Sequence, residues 1–275
     1  LHVHSAPDVY DRSVTDHELA REAAAAGMRA LLLKSHHTLT ADRAALSRSM
    51  AGIDVFGGIA LNQTVGGLNP VAAETAVEFG AKEIWMPTIH AAHCMAVAEP
   101  EMFRDEVRRG RAGITVLDAA GRVNDAALAI LEIIRDAGII LGTGHVSPDE
   151  SLALLAAAKD MGLDRVLVTH PHMSFTRFTL DQMRQAAELG GTLEFDYLAC
   201  SPNWEHALNP KQTAEAMLAI GPEHCVMATD GGQHFNPHPP RMFSDFGDAM
   251  HSHGVAEDAL RIMMCENPAR LLGLE

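Results

Sequence analysis

Positive charge is scarce in this sequence: 21 Lys and Arg stand against 36 Asp and Glu over 275 residues, a formal net charge of −15. Phosphate backbones are held by clustered cationic side chains, so no nucleic-acid partner is expected, and the acidic balance favours solubility. Cysteine is scarce as well. Cys94, Cys200, Cys225 and Cys265 form no CxxC pair and no regular framework. That excludes a zinc ribbon or a disulfide scaffold and fits free thiols in a reducing cytosol. No apolar run approaches the roughly 18 residues of a membrane span, and no signal-peptide pattern is present. The expectation is a cytoplasmic chain without a membrane partner, its Leu1 a trimmed terminus. Linker-like stretches, low-complexity segments and repeats of 20 to 50 residues are also missing, so residues 1–275 read as one domain, long enough to bury a large core.

What the sequence does have is alternation. Short apolar runs, "LHVH", "MRALLLKS", "IDVFGGIALN", "AKEIWMPTI", "GIILGTGHV", "RVLVTH", "TLEFDYLA" and "CVMATD", are separated by longer alanine-rich amphipathic segments. This is the pattern of βα units around a parallel sheet, and eight strands is the number that closes a TIM barrel. Helix signals agree: Thr15 with Glu18, Ser147 with Glu150 behind Pro148, and Thr179 with Gln182 have capping-box spacing. Gly27 is placed to end the first helix in a left-handed conformation. The interval between the fourth and fifth strands is long. It predicts an extra helix near "EPEMFRDEVRRG" and a small β-hairpin in "GITVLDAAGRVN". The fold class expected is therefore α/β, a distorted (β/α)8 TIM barrel with a hairpin insertion between strands 4 and 5.

The 16 histidines fall mostly in clusters, and their positions on this barrel are not random. His2 and His4 lie on strand one, where alternate residues share a face and two imidazoles can chelate one cation. Lys34 closes strand two, His90 strand four, His145 strand five, His170 strand six and Asp230 strand eight. All should reach the C-terminal mouth, where barrel enzymes keep their chemistry. His36, His90 and His172 lie close to strand ends and are candidate substrate contacts, as is Gln233 in the loop after strand eight. "GGLNP" offers backbone amides to an oxyanion or is a plain turn with an N-cap. Glu194 and Asp196 share one strand face, so that either one of them enters the mouth from strand seven or both are paired carboxylates of the barrel interior, and they are left outside the main site.

The ordered set "HVH", His145 in "GTGHVS", His170 in "VTHPH" and Asp230 in "MATDGGQ" resembles the amidohydrolase superfamily of metal-dependent barrel hydrolases, and "ENPARLLGL" resembles its closing helix. "LKSHHTLTADRA", "GGLNP" and "WMPTIH" further resemble segments of an incompletely characterised branch of small cytosolic members. The resemblance implies one metal on His2 and His4, with Asp230 as ligand and proton acceptor. It implies His145 and His170 on a second metal if two are bound. In one-metal members the fifth-strand histidine, here His145, joins the first metal and the sixth-strand histidine, here His170, positions water or substrate. The commonest two-metal pattern places a carboxylated lysine at the end of strand four. "MPTIH" has none, and Lys34 is the available substitute, either as a carbamate or as a cation that serves the substrate.

A divalent cation lowers the pKa of water from about 15.7 to near 7, roughly 12 kcal/mol in hydroxide formation. Nitrogen and oxygen ligands of this kind suit Zn²⁺, with Mn²⁺ or Fe²⁺ as alternatives. The expected activity is attack of a metal-activated water on the carbonyl of a small amide, imide, lactam or lactone. This is hydrolysis of carbon–nitrogen bonds other than peptide bonds, with Asp230, His170 and Lys34 as catalytic groups. Rival readings are a metal-dependent decarboxylase, a phosphoesterase on the same barrel, and a ligand-binding barrel without catalysis. The partner expected is a small molecule, and apolar surface helices leave room for a homo-oligomer.

Overall fold

The computed structural model describes residues 1–99, 102–103 and 110–274. Seven strands form one parallel sheet in chain order: β1 (Ala30–Leu33), β2 (Asp54–Ala60), β3 (Glu83–Trp85), β4 (Ile140–Gly142), β5 (Val166–Val168), β6 (Gly191–Asp196) and β7 (Cys225–Ala228). Each lies inside a run read from the sequence as a strand, save that β6 begins one residue earlier, at Gly191. The remaining run, "LHVH", pairs through a single residue: Val3 bridges in parallel to Leu33 on one side and to Gly231 on the other. Backbone bonds from Lys34 to Val3 (2.8 Å), His4 to Gly231 (2.8 Å) and Asp230 to His2 (3.0 Å) fasten it between the two edges of the sheet. The ring therefore closes through the segment that carries His2 and His4.

Alternation along the strands divides the core into two layers. Leu32, Phe56, Ala60, Trp85, Ile140, Leu167 and Val226 form an interior cluster, joined by Leu271 and Leu272 of the C-terminal helix Asn267–Leu272. Residues of the opposite face, among them Ile84, Leu141, Leu193, Phe195 and Met227, pack outward against the helices. Trp85 fills the interior because Gly142 opposite it has no Cβ, which would collide with the indole ring.

The helix signals hold. Helix α1 (Asp16–Ala25) starts from a Thr15–Glu18 capping box, and Gly27 follows its end at φ +77°. Reciprocal capping boxes Ser147–Glu150 and Thr179–Gln182 also start Pro148–Asp160 and Leu180–Glu188. Such caps satisfy N–H groups that the first helical turn leaves unpaired and contribute about 0.5–2 kcal/mol each. In "GGLNP", the Asn69 side chain accepts from the Val71 N–H and caps Pro70–Glu78. The segment is a turn with an N-cap.

The insertion before β4 differs from expectation. Its hairpin is reduced to one antiparallel bridge, Leu117 with Val123, around a turn whose Asp118 carboxylate accepts from the N–H groups of Ala120 and Arg122. Asp118 thus spends itself on the turn, and Ile114 pairs in parallel with Ala91 instead of extending a hairpin arm. Most of the helix expected near "EPEMFRDEVRRG" lies outside the described residues. Among the described residues no helix is long and apolar enough to cross a membrane, and all four cysteines are free.

Candidate metal centre

Ring closure brings the two ends of the sequence together at the mouth of the barrel. Asp230 Oδ1 lies 3.2 Å from His2 Nε2 and 3.0 Å from His4 Nε2, and Asp230 Oδ2 lies 3.8 Å from His170 Nε2. The His145 ring centroid is 5.2 Å from that of His170. His2, His4, His145, His170 and Asp230 are all buried. The structure therefore brings together these five residues, which the sequence placed on four different strands.

A second tier of carboxylates stands behind these imidazoles. Glu194 and Asp196 both point inward from β6, as alternation requires. His2 Nδ1–H donates to Glu194 (2.8 Å) and His170 Nδ1–H to Asp196 (2.6 Å). A histidine that donates from Nδ1 presents the lone pair of Nε2. Here those lone pairs face the oxygens of Asp230, an arrangement that repels unless a cation lies between them. His2 with His4 and Asp230 forms a group able to hold a metal; His2, His170, Glu194 and Asp196 are also grouped closely, but there the Nδ1 atoms and the carboxylates are engaged with each other.

The charge balance points the same way. Glu83, Glu194, Asp196 and Asp230 are buried near one cationic side chain among the described residues, Lys34. Burial pushes the Asp196 carboxyl well above its usual range, and the negative charges of Glu194 and Asp230 add to the rise. Burial also pushes Asp230 up, while positive charge on the facing His2 and His4 rings draws this carboxyl well below its ordinary range, a pull that neutral rings presenting lone pairs do not exert. Burial pulls the Lys34 amine down against the pull of the surrounding carboxylates. Lys34 Nζ has no hydrogen-bond partner among the described residues and lies 5.3 Å over the Trp85 ring. Buried, unpaired polar atoms of this number cost several kcal/mol without a compensating ion or proton. A divalent cation fits the donor set of imidazole nitrogens and carboxylate oxygens.

His170 and Asp230 share a backbone peculiarity. Both have positive φ, 52° and 44°, a conformation uncommon outside glycine and often found at functional sites. Each is tied in place by its carbonyl: Thr176 Oγ1–H donates to His170 and Gln233 Nε2–H to Asp230. Gly232, at φ +117°, lets the next turn pass against the His4 carbonyl where a Cβ would collide.

A cavity of about 410 Å³ opens above the cluster, with His4, His36, His145 and Asp230 in its lining. Its walls carry Tyr10, Phe103, Phe175, Trp204 and Phe235, five of the 13 aromatic residues in the chain. Its only Lys or Arg among the described residues, Arg12, is held by Asp8 through Nε and Nη2, each at 2.8 Å.

The expected substrate contacts separate. His36 and Gln233 line the cavity, although the Gln233 amide is engaged by the Asp230 carbonyl and by Asn236. His90 and His172 do not line it. His90 is fully buried, its backbone N–H donating to Asn62 and its carbonyl accepting from Ile114. The turn after β5 carries His172 behind the wall, with its ring 4.9 Å from that of Phe195. Sequence reasoning misses Glu83 and the pairing of Glu194 with His2 and of Asp196 with His170. Their signal was a carboxylate inside an apolar strand, which alternation turns toward the barrel interior.

Comparison with known proteins agrees with this architecture. An amidohydrolase from Pseudomonas aeruginosa superposes with a TM-score of 0.63 at 12% identity, covering 98% of this chain and 93% of that one. The organophosphorus hydrolase from Deinococcus radiodurans gives 0.60 at 14% identity, covering 99% and 92%. A phosphotriesterase homology protein from Escherichia coli, complexed with phosphate in its active site, gives 0.61 at 12% identity, covering 98% and 97%. The fold is thus that of the amidohydrolase and phosphotriesterase-like barrels. No curated protein matches the sequence. The model of a family of unknown function, DUF6282, matches residues 1–194, and the chain belongs to that family.

Proposed function

We propose that this protein is a metal-dependent hydrolase that acts on the carbonyl of a small organic substrate. A cyclic or acyclic amide, imide or lactone is the reading supported best. One observation carries it: a single carboxylate oxygen, Asp230 Oδ1, flanked by the Nε2 atoms of His2 and His4 at 3.2 and 3.0 Å on the floor of an aromatic-walled cavity. The likeness to an amidohydrolase and to organophosphorus hydrolases supports hydrolysis as the reaction class.

His2, His4 and Asp230 would hold one cation, most suitably Zn²⁺ by donor type, and His145, His170 and Lys34 are the groups available to a second. Bound there, a divalent cation lowers the pKa of water toward neutrality and polarises a carbonyl. The remaining work falls to the chain. Asp230 takes the proton of the attacking water. Glu194 and Asp196 keep the imidazoles of His2 and His170 in the orientation that exposes Nε2. The aromatic walls exclude water and seat the apolar part of the substrate. A carbonyl fits better than an anionic phosphate monoester, since that group needs free cationic anchors and Arg12 is committed to Asp8.

The test is hydrolysis of a panel of lactones, cyclic imides, amides and phosphate esters by zinc-reconstituted protein. Turnover of a carbonyl substrate, abolished by chelator and restored by metal, supports the reading. Turnover of phosphate esters alone contradicts it.

A further inference from the structure

Asn62, Thr88 and His36 form a chain of hydrogen bonds whose direction is fixed at one end. The Oδ1 of the fully buried Asn62 accepts the backbone N–H groups of Thr88 (2.9 Å) and His90 (3.1 Å). Its amide nitrogen is thereby turned the other way. It donates to the His36 carbonyl at 2.9 Å and to Thr88 Oγ1 at 2.6 Å. Thr88 receives a hydrogen bond and has one proton to give. The acceptor in reach is His36 Nδ1, at 2.9 Å. An imidazole that accepts at Nδ1 carries its own proton on Nε2.

The placement of that nitrogen gives the network a use. His36 lines the cavity, with its ring centroid 5.0 Å from His4 and 5.7 Å from His145. Its Nδ1 is turned to the buried side, and Nε2 has no hydrogen-bond partner among the described residues.

The geometry points to His36 as a fixed hydrogen-bond donor, its Nε2–H addressing the carbonyl oxygen of the substrate beside the metal centre. This rests on the hydrolase reading for the identity of the oxygen, while the tautomer does not. A donor held where negative charge develops binds the transition state more strongly than the ground state and needs no reorganisation. Thr88 and Asn62 are positioning residues: they act through His36 by denying it the other tautomer. His36 so arranged does not serve as a general base.

The experiment is long-range ¹H–¹⁵N correlation spectroscopy on the zinc-loaded full chain with ¹⁵N-histidine, the His36 signals being identified by their loss in His36→Gln. The expected result is an unprotonated Nδ1 and a protonated Nε2 in the parent protein and in Thr88→Ser. In Thr88→Val, population of the Nδ1–H form should rise. Titration with benzoate, a probe that offers carboxyl oxygens and an aromatic ring, should move the Nε2 resonance. A ring protonated on Nδ1 overturns the proposal, as does a tautomer unchanged by Thr88→Val or an Nε2 resonance indifferent to benzoate. If a lactone is turned over, His36→Phe should lose about 10²–10³-fold in kcat with metal content unchanged, and His36→Gln, which keeps an N–H donor, should lose less. Absence of turnover with the expected tautomer and benzoate response would sink the hydrolase reading and leave the His36 assignment standing.

Discussion

The imidazole of His2 touches acidic groups on both of its nitrogens: Nδ1 lies 2.8 Å from Glu194 and Nε2 lies 3.2 Å from Asp230. The two contacts differ in kind. Nδ1 gives its proton to the inner carboxylate, so Nε2 meets Asp230 with a lone pair, and a cation between them turns repulsion into coordination. Asp230 is then both a ligand and the nearest proton acceptor.

Replacing Asp230 by Asn keeps the shape and removes the proton acceptor. Turnover should fall by about 10²–10⁴-fold, the range for a positioned general base. Metal content, measured in parallel, should remain. Loss of metal with full activity per bound ion would contradict the assigned role.

Glu194→Gln and Asp196→Asn should each weaken metal affinity by about 10–100-fold, because they loosen the orientation of His2 and His170 without removing a ligand. Competition with a chromophoric chelator reads this directly. Affinity equal to that of the parent would mean that the β6 carboxylates serve only the core.

The state of Lys34 is expected to distinguish a one-metal from a two-metal centre. If it is carboxylated, the intact mass measured in bicarbonate buffer exceeds the sequence mass by that of one CO₂, and Lys34→Ala loses the second metal. If it is the cation that serves the substrate, the mass is unmodified and Lys34→Ala keeps its metal but raises KM.

His172 makes one contribution to the acid dependence of stability, and its sign follows from burial. Burial holds its pKa at about 3 in the folded chain, against 6.5 when exposed. The unfolded chain therefore binds the proton first. The stabilisation is complete above about pH 6.5 and is lost progressively as the pH drops toward 3. In His172→Phe, denaturant midpoints should decline less steeply across that window than in the parent. Equal slopes would show that the ring is solvated.

Much of this was legible in the sequence because strand periodicity and position on a barrel are local properties. "HVH", "GTGHV", "VTH" and "MATD" place His2, His4, His145, His170 and Asp230 at one mouth once eight strands are counted. Alternation likewise puts Glu194 and Asp196 on one face. It does not say which imidazole each will meet, because that depends on the register with which β6 sits beside β5 and β7. Asn62, Thr88 and His36 come from three successive strand ends and become a network only when those ends align. The aromatic wall was hidden for another reason. Trp204 and Phe235 stand in loops, where no periodicity announces a direction. His90 and His172 show the converse: closeness to a strand end does not decide which side of the mouth a ring will take.

The most direct measurement is the metal content of desalted, zinc-reconstituted protein by elemental analysis, beside a His2→Ala/His4→Ala double variant. One or two tightly held ions per chain in the parent, with at least one lost in the variant, is the predicted result. A parent chain that retains no metal, or a variant that retains as much as the parent, would contradict the account.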